Sequence, residues 1–332
     1  MPTKLIILFL LIILIVLIFT LTNQEKMIIK SNFNPNSIGK NITEYLKSKE
    51  SKLKDIKEGV HKRVIWSNKE NEKTPLSIIY IHGFSASSEE IRPLPDLIAK
   101  KLKANLFYTR LKGHGRDGIA MGQASIKHWI YDLQEAIEIG SRIGDKVLVI
   151  SSSTGGTLSS FASLDENLSR NILSFIFISP NFGINHKLAN LLTWPLAKYW
   201  LKIFIGEMRE IKPRNKLNAK FWTLKYPNNA LIPMANLVHT INRKSFKNVN
   251  IPALFYFSLD DKVVKAEKTI EFISNWGGKT KSINVTMTKS DDKYSHVIVG
   301  DIISPNQTKN AVNEILKWIK EINVIRSKVL RY

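Results

Sequence analysis

A serine that follows a short apolar run is the residue of this chain best placed to act as a nucleophile. Residues 146–162 have the sequence KVLVISSSTGGTLSSFA, in which strand character leads through serines and glycines into a helix-capable segment. With Ser151 before it and Gly155 after it, Ser153 occupies the apex of a small-x-Ser-x-Gly turn. Such a sharp turn strains the backbone and holds the serine Oγ clear of the sheet. We therefore predict that Ser153 is a nucleophile and that the amide of Thr154 faces a developing oxyanion.

Four other segments carry polar residues at the end of a strand-like run or on a late loop. Upstream of the serine, residues 77–87 (SIIYIHGFSAS) lead into His-Gly-Phe, and residues 107–115 (FYTRLKGHG) lead into Gly-His-Gly. Downstream, residues 253–264 (ALFYFSLDDKVV) contain two aspartates, and residues 295–301 (SHVIVGD) contain a histidine. A serine is a weak nucleophile unless a base lies within hydrogen-bond reach, and the base needs an acid that orients it. All three residue types are present, in the chain order Ser, Asp, His.

These five segments, in this order, resemble the α/β-hydrolase superfamily, and more narrowly its carboxylesterase and monoacylglycerol-lipase-like branch. The resemblance extends over residues 63–320, nearly all of the chain beyond its N-terminal segment. It implies an α/β-hydrolase fold with a helical cap inserted late in the sheet. The alternation of apolar strands with amphipathic helices predicts, in agreement, a mainly parallel sheet with helices on both faces.

The resemblance also implies which residues would be the base and the acid. His186, His239 and His296 follow the serine, but the first two fall in the cap region, so His296 is expected to be the base. The Asp-x-Val-Val spacing of the family matches Asp261, which is expected to be the acid. Asp260, at the end of the same strand, is the alternative.

The same resemblance implies an oxyanion hole formed by backbone amides of Phe84 and Thr154. Only the N–H groups act there, so the two side chains are free to vary. His82 and His114 are expected to brace the loop beneath the site by hydrogen bonds rather than to take part in chemistry.

The predicted domain organisation has four parts. Residues 1–24 form a membrane anchor or uncleaved signal, and residues 25–60, rich in Lys, Glu and Asn, form a polar spacer with a short helix. Residues 61–322 form the α/β-hydrolase domain, interrupted by the cap at about 181–250. Residues 323–332 form a basic tail.

The N-terminal prediction depends on an unbroken apolar run at residues 5–19, preceded by Lys4. With residues 20–22 it reaches eighteen residues, or about 27 Å as a helix. That length is near the thickness of a bilayer's hydrocarbon core. No A-x-A-like cleavage site follows, which favours an N-terminal transmembrane helix over a cleaved signal peptide. We therefore expect a single-helix membrane anchor, with the catalytic domain exported to the periplasmic or extracellular side.

Composition excludes several classes of chemistry. The chain has 49 Lys and Arg against 28 Asp and Glu, a net charge of +21, and no cysteine. Disulfides, thiolate catalysis and cysteine-ligated zinc are therefore excluded. No His, Asp and Glu cluster has metal-binding spacing, and no P-loop lysine or Gly-x-Gly-x-x-Gly occurs, so neither a metal nor a cofactor is expected. No nucleic-acid-binding module accompanies the basic charge, so nucleic acid is not expected as a partner.

The cap region is basic and aromatic. Residues 184–250 contain twelve Lys and Arg against Glu207 and Glu210, together with aromatic residues such as Trp194 and Phe204. We expect the aromatic residues to pack the cap against the sheet. A surface that meets anionic lipid is the alternative for them. The basic residues are expected to attract anionic headgroups, by roughly 1 kcal/mol for each side chain close to a membrane.

The sequence thus predicts a serine hydrolase that cleaves carboxylic esters, such as monoacylglycerols or other lipid esters, through a Ser-His-Asp triad and an acyl-enzyme. Two alternatives remain. An acyltransferase or peptidase uses the same triad, because the serine turn does not select the acyl acceptor. A receptor or scaffold on this fold has no activity at all.

Overall fold

Short runs of Ile, Val, Leu and Phe form the central strands of the main sheet, because β-branched and aromatic side chains fit a pleated, buried surface. The computed structural model describes residues 2–22 and 32–329. The strands of the described chain are β1 (Arg63–Ile65), β2 (Thr74–Ile81), β3 (Asn105–Tyr108), β4 (Gly144–Ser152), β5 (Ile172–Ile178), β6 (Met208–Glu210), β7 (Lys225–Pro227), β8 (Ala253–Phe257) and β9 (Thr280–Asn284).

Seven of these strands form one sheet in the order β1-β3-β2-β4-β5-β8-β9. Every neighbouring pair is parallel except β1 with β3. Parallel neighbours need crossover connections, and helices supply most of them. The α-helices of the described chain are α1 (Pro2–Thr22), α2 (Ile42–Glu50), α3 (Leu94–Leu102), α4 (Gly118–Gly122), α5 (Ile126–Ile143), α6 (Thr154–Ala162), α7 (Glu166–Ser169), α8 (Ala197–Ile205), α9 (Lys216–Phe221), α10 (Leu231–Ile241), α11 (Ala266–Ser274) and α12 (Thr308–Val329).

The core lies on both faces of this sheet, because successive side chains of a strand point to opposite sides. Ile79 and Val149 face a cluster that α5, α6, α10 and α11 help to form. Ile78 and Leu148, their neighbours in the chain, face a second cluster formed with α3 and α12. The predicted mainly parallel sheet with helices on both faces is confirmed.

Between β5 and β8 the chain leaves the sheet, in the region that the sequence predicts as the cap. Helices α8, α9 and α10 lie here, with β6 and β7 paired as a small antiparallel sheet. The return of the chain at β8 places the segment after that strand beside the carboxyl end of β5.

The segment before β1 packs against the core of the sheet domain, although the sequence predicts a polar spacer there. Ile38, Ile42, Tyr45 and Leu46 are buried in the core cluster that contains α5. These apolar residues lie on one face of a polar segment, so composition alone conceals their burial. Glu50, at the end of α2, forms a buried ion pair with Arg110 at 2.8 Å. The rest of the predicted spacer, residues 25–31, lies outside the described residues.

The N-terminal segment is helical, and the side chains of residues 5–17 are exposed. Among the residues that the structure describes, no helix has both the length and the apolar character needed to cross a membrane. The transmembrane helix that the sequence predicts within residues 1–24 is thus not found in this part of the chain.

The C-terminal boundary also differs from the expected one. Helix α12 continues to Val329, so most of the predicted basic tail, residues 323–332, belongs to this helix. Apolar residues of its first half, including Ile315 and Trp318, are buried against the sheet and fix the helix there. Residues 330–332 lie outside the described chain.

Candidate active site

Ser153 lies in the sharp turn between β4 and α6, with φ of 47° and ψ of −119°. A positive φ is uncommon for a residue with a side chain and is found mostly where function requires it. The Ser153 amide donates to the carbonyl of Ile178 on the neighbouring strand at 3.0 Å. At Gly155 a Cβ would lie 2.6 Å from the carbonyl oxygen of His82, so only glycine lets the helix start this close to β2.

Ser153, His296 and Asp261 form a continuous chain of hydrogen bonds. His296 Nε2 lies 3.0 Å from Ser153 Oγ, and His296 Nδ1 lies 2.7 Å from Asp261 Oδ2. The other oxygen of Asp261 accepts the amides of Val263 and Val264 at 2.8 and 2.9 Å, which fixes the carboxylate. The serine follows β4, the aspartate follows β8 and the histidine follows β9, so the fold brings together residues far apart in sequence.

The pKa of His296 lies above its ordinary value. Burial of the ring opposes its protonation, but the charge of Asp261 and the hydrogen bond that the ring donates to Asp261 outweigh that effect, and Glu90 and Asp292 contribute further negative charge. A raised pKa makes the imidazole a stronger proton acceptor once it is neutral. The environment therefore suits a group that takes a proton from the neighbouring hydroxyl.

Several side chains that the sequence offers as alternatives lie apart from this arrangement. Asp260 is exposed, and its amide donates to Ser258 Oγ at 3.3 Å. His186 and His239 are exposed in the cap region. Within residues 2–22 and 32–329, no group of three or more His, Cys, Asp or Glu side chains is placed to hold a metal ion.

Two amides are available beside the serine. Thr154 is the first residue of α6, and the leading amides of a helix have no partner within it. Phe84 follows β2 in a turn, and its amide donates to no acceptor in the described part of the chain. Its ring packs edge-on against His114 and Tyr226, with centroids 5.7 and 5.5 Å away. Both amides therefore remain free to bind an oxygen outside the protein.

Two buried histidines tie the loops beneath the site together. His82 Nε2 accepts the amide of Leu111 at 3.1 Å, so Nδ1 carries the hydrogen that it donates to the carbonyl of Gly83 at 2.9 Å. Burial lowers the pKa of His82 well below its ordinary value and that of His114 to about 4. His114 Nδ1 bonds to the carbonyl of Lys112 at 3.2 Å. Both rings therefore stay neutral and hold backbone groups of these loops in place by hydrogen bonds.

Asp292 also shapes the site, although no sequence motif indicated it. Its Oδ2 accepts the amides of His296 and Val297 at 3.1 and 2.8 Å. Its Oδ1 accepts the amide of Tyr294 at 2.9 Å and the guanidinium of Arg214, which lies in the cap region. The available signal was local, because an aspartate four residues before a loop histidine is placed to cap the amides of that loop.

We expect Arg214→Ala to lower kcat by roughly 10-fold. The loop that carries His296 loses its ion pair with the cap, and a small misplacement of a catalytic group is costly. Arg243→Ala is the matched control, since Arg243 is an exposed arginine of the same region away from Asp292. Steady-state kinetics on a soluble ester is the measurement. Equal rates in the two variants would contradict this role.

Comparison with known proteins agrees with this architecture. A segment of 87 residues, 26% of this chain, is 29% identical to a thermostable monoacylglycerol lipase of a Bacillus species and spans about a third (34%) of that protein's length. The structure of a metagenome-derived lipolytic enzyme aligns with a TM-score of 0.62 at 15% identity, covering 80% of this chain and 99% of that one. A soluble variant of monoglyceride lipase from Saccharomyces cerevisiae aligns with a TM-score of 0.59 at 14% identity, covering 79% and 91%.

At these identities the structural matches establish the fold alone. The family model described as serine aminopeptidase, S33, matches residues 73–290, which is more than half of the chain. That range begins just before β2 and extends past Asp261 to the loop that leads to His296. The chain therefore belongs to the Hydrolase_4 family, serine aminopeptidase S33, and has the α/β-hydrolase fold.

Proposed function

We propose that this protein is a serine hydrolase that cleaves carboxylic esters, with Ser153 as nucleophile, His296 as base and Asp261 as the acid that orients it. The observation that carries the proposal is the chain of hydrogen bonds from Ser153 Oγ through the His296 ring to Asp261. A nucleophile, a base in contact with it and a third group that holds the base are the parts that acyl transfer requires.

The first half of the reaction forms an acyl-enzyme. Ser153 Oγ attacks the carbonyl carbon of the ester while His296 Nε2 takes the serine proton. The carbonyl oxygen becomes an oxyanion, which the amides of Phe84 and Thr154 stabilise by hydrogen bonds. The tetrahedral intermediate then expels the alcohol, and His296 returns the proton to the leaving oxygen.

The second half releases the acid by the same groups. Water replaces the alcohol, His296 removes one of its protons, and the resulting oxygen nucleophile attacks the acyl carbon. The oxyanion forms again between the two amides, and collapse breaks the bond to Ser153 Oγ, which regains its proton from His296. Asp261 remains ionised throughout and stabilises the transient imidazolium.

Lipid esters, including monoacylglycerols, are the proposed substrates. The similarity to the Bacillus monoacylglycerol lipase and to the yeast monoglyceride lipase supports this choice. A panel of monoacylglycerols and water-soluble esters with acyl chains of increasing length tests it. Release of free fatty acid from the monoacylglycerols is the expected result.

The same panel separates the other candidate activities. Adding alcohol and amine acceptors distinguishes an acyltransferase, which forms new esters or amides, from a hydrolase, which forms free acid. Peptide substrates test a peptidase. A serine-directed fluorophosphonate probe tests whether the protein is a scaffold without activity, because a protein without an activated serine is not labelled.

We further propose that part of the cap contacts anionic lipid. This cap surface consists of Trp194, Tyr199 and Phe204, which are 60, 56 and 77% exposed, together with the exposed Lys198 and Lys202. Trp222 is buried in a small cluster with Ala86 and Ile303, whereas these three aromatic residues are not packed as expected. Exposed aromatic rings beside lysines fit the boundary between headgroups and acyl chains.

The fluorescence of Trp194 is expected to report this contact. Adding vesicles that contain anionic lipid should shift the emission to shorter wavelengths, and the shift should be smaller in Trp194→Phe. The difference between the two proteins isolates the cap surface, because α1 contains no tryptophan. Vesicles of zwitterionic lipid are the control. An identical shift in both proteins on anionic vesicles would refute the contact.

A further inference from the structure

Glu90 is a buried carboxyl group directly beneath the proposed active site. It lies between β2 and α3 and is 4% exposed. Its Oε2 accepts the hydroxyl of Tyr80 and the amide of Gly83, both at 2.7 Å, and the hydroxyl of Ser152. Tyr80 belongs to β2, Gly83 precedes Phe84, and Ser152 precedes Ser153. One oxygen therefore connects the central sheet, the loop of one oxyanion amide and the turn of the nucleophile.

Very little space separates these groups. A Cβ on Gly83 would lie 2.7 Å from Glu90 Oε1 and 3.1 Å from Ser153 Cβ. The loop therefore passes between the carboxyl group and the nucleophile at a point where even a methyl group does not fit. A small displacement of the carboxyl group shifts the loop or the serine.

The position of Gly83 explains why the loop needs to be held. Glycine has the widest backbone freedom of any residue. Gly83 itself therefore does not fix the direction of the amide that follows it. The carbonyl of Gly83 and the amide of Phe84 share one planar peptide unit, and they point in opposite directions. His82 Nδ1 and the amide of Ala86 hold that carbonyl at 2.9 and 3.3 Å.

The preceding peptide unit, which carries the Gly83 amide, is held by Glu90. Both peptide planes that flank the glycine are thus fixed, and the direction of the Phe84 amide follows. Burial of a carboxyl group is costly unless its oxygens are hydrogen-bonded. No lysine or arginine of the described chain forms an ion pair with Glu90, whereas the adjacent Glu89 pairs with Arg63 and Arg92. No counter-charge thus offsets the free-energy cost of burying Glu90. A buried group without such compensation is typical of functional sites.

We propose that Glu90 is a positioning residue of the active site: it holds the Gly83 amide and the Ser152 hydroxyl, and so directs the Phe84 amide at the oxyanion formed on Ser153. The proposal rests on the function proposed above. Glu90 touches no reacting atom, so its loss should weaken the binding of the transition state more than that of the substrate.

The variants are Glu90→Ala, which removes the hydrogen bonds, and Glu90→Gln, which keeps the shape. Glu89→Gln is the matched control on the same loop. For Glu90→Ala we expect kcat on a soluble ester to fall by roughly 10- to 100-fold with KM nearly unchanged, below the ~10²–10³ cost of deleting an oxyanion donor. Affinity for a trifluoromethyl ketone, which forms a tetrahedral adduct with the serine, should fall by the same factor as kcat/KM.

Glu90→Gln provides a second readout that loss of stability does not mimic. His296 is faced by Asp261, Asp292 and Glu90, and all three charges raise its pKa. Removing the charge of Glu90 should lower that pKa, so the acidic limb of the pH–kcat/KM profile should move to lower pH. Glu89→Gln should leave the limb in place. This variant decides the question even if Glu90→Ala does not fold.

The outcomes separate this inference from the function on which it rests. Full activity of Ser153→Ala ends the proposed function itself. A second outcome is that activity depends on Ser153, but Glu90→Gln has the same kcat, ketone affinity and pH profile as Glu89→Gln. That result would overturn the positioning role alone. A fall in melting temperature with unchanged kcat would likewise reduce Glu90 to a structural residue.

Discussion

Replacing Ser153 with alanine is expected to lower kcat for ester hydrolysis by on the order of 10⁶, because the acyl-enzyme has no atom on which to form. Labelling by a fluorophosphonate should disappear in the same variant. The melting temperature should not fall, since alanine removes only an oxygen and the backbone of the turn keeps its hydrogen bond to Ile178. Single-turnover and steady-state assays on a soluble ester measure the effect.

The neighbouring serines are the controls for this variant. Ser151 is fully buried on β4, and its Oγ lies 3.5 Å from the carbonyl oxygen of Ile176. Ser151→Ala and Ser152→Ala should both keep measurable activity and probe labelling, with some loss in Ser152→Ala through its contact with Glu90. Undiminished turnover in Ser153→Ala would exclude the serine mechanism.

The proposed base and acid should show the next largest effects. His296→Ala should be nearly as inactive as Ser153→Ala, because no other imidazole of the described chain contacts Ser153 Oγ. Asp261→Asn should lose roughly 10⁴ in kcat, since the imidazole loses the charge that fixes its tautomer and stabilises its protonated form. Asp260→Asn, the matched control, should be close to the unmodified protein because Asp260 is exposed.

The pH dependence follows from the raised pKa of His296. His296 must be neutral to act as the proposed base, so activity should rise as the pH increases through a value above the ordinary 6.5 of histidine. In Asp261→Asn the attraction that raises this pKa is lost, and the residual activity should rise at a lower pH. If Asp260→Asn is inactive and Asp261→Asn is active, the acid is Asp260 instead of Asp261.

Local sequence was sufficient to locate the serine turn. This segment has apolar residues, a small residue, the serine and a glycine within a few positions. That pattern dictates a strand, a sharp turn and a helix, and in the structure Ser153 lies at the turn with a positive φ. The mainly parallel sheet was also predictable, because the alternation of strands and helices repeats along the chain. These features depend on neighbours in the sequence.

The Asp-x-Val-Val spacing favoured Asp261 over Asp260, but the contact of Asp261 with His296 exists only in the tertiary structure. Asp260 and Asp261 both follow β8, and the direction of the chain after that strand buries one and exposes the other. The two residues lie in the turn after the strand, where the path of the backbone decides which side chain is buried.

The supporting carboxyl groups show the same limit. Glu90 and Ser152 are 62 residues apart, and Asp292 and Arg214 are 78 apart, so no short pattern contains either pair. The burial of Ile42 and Tyr45 in a segment of polar composition is a further case. The sequence by itself determined the turn, the sheet and the types of residue available for catalysis. Tertiary packing decided which buried groups fix the loops, because contacts between distant residues exist only after the chain has folded.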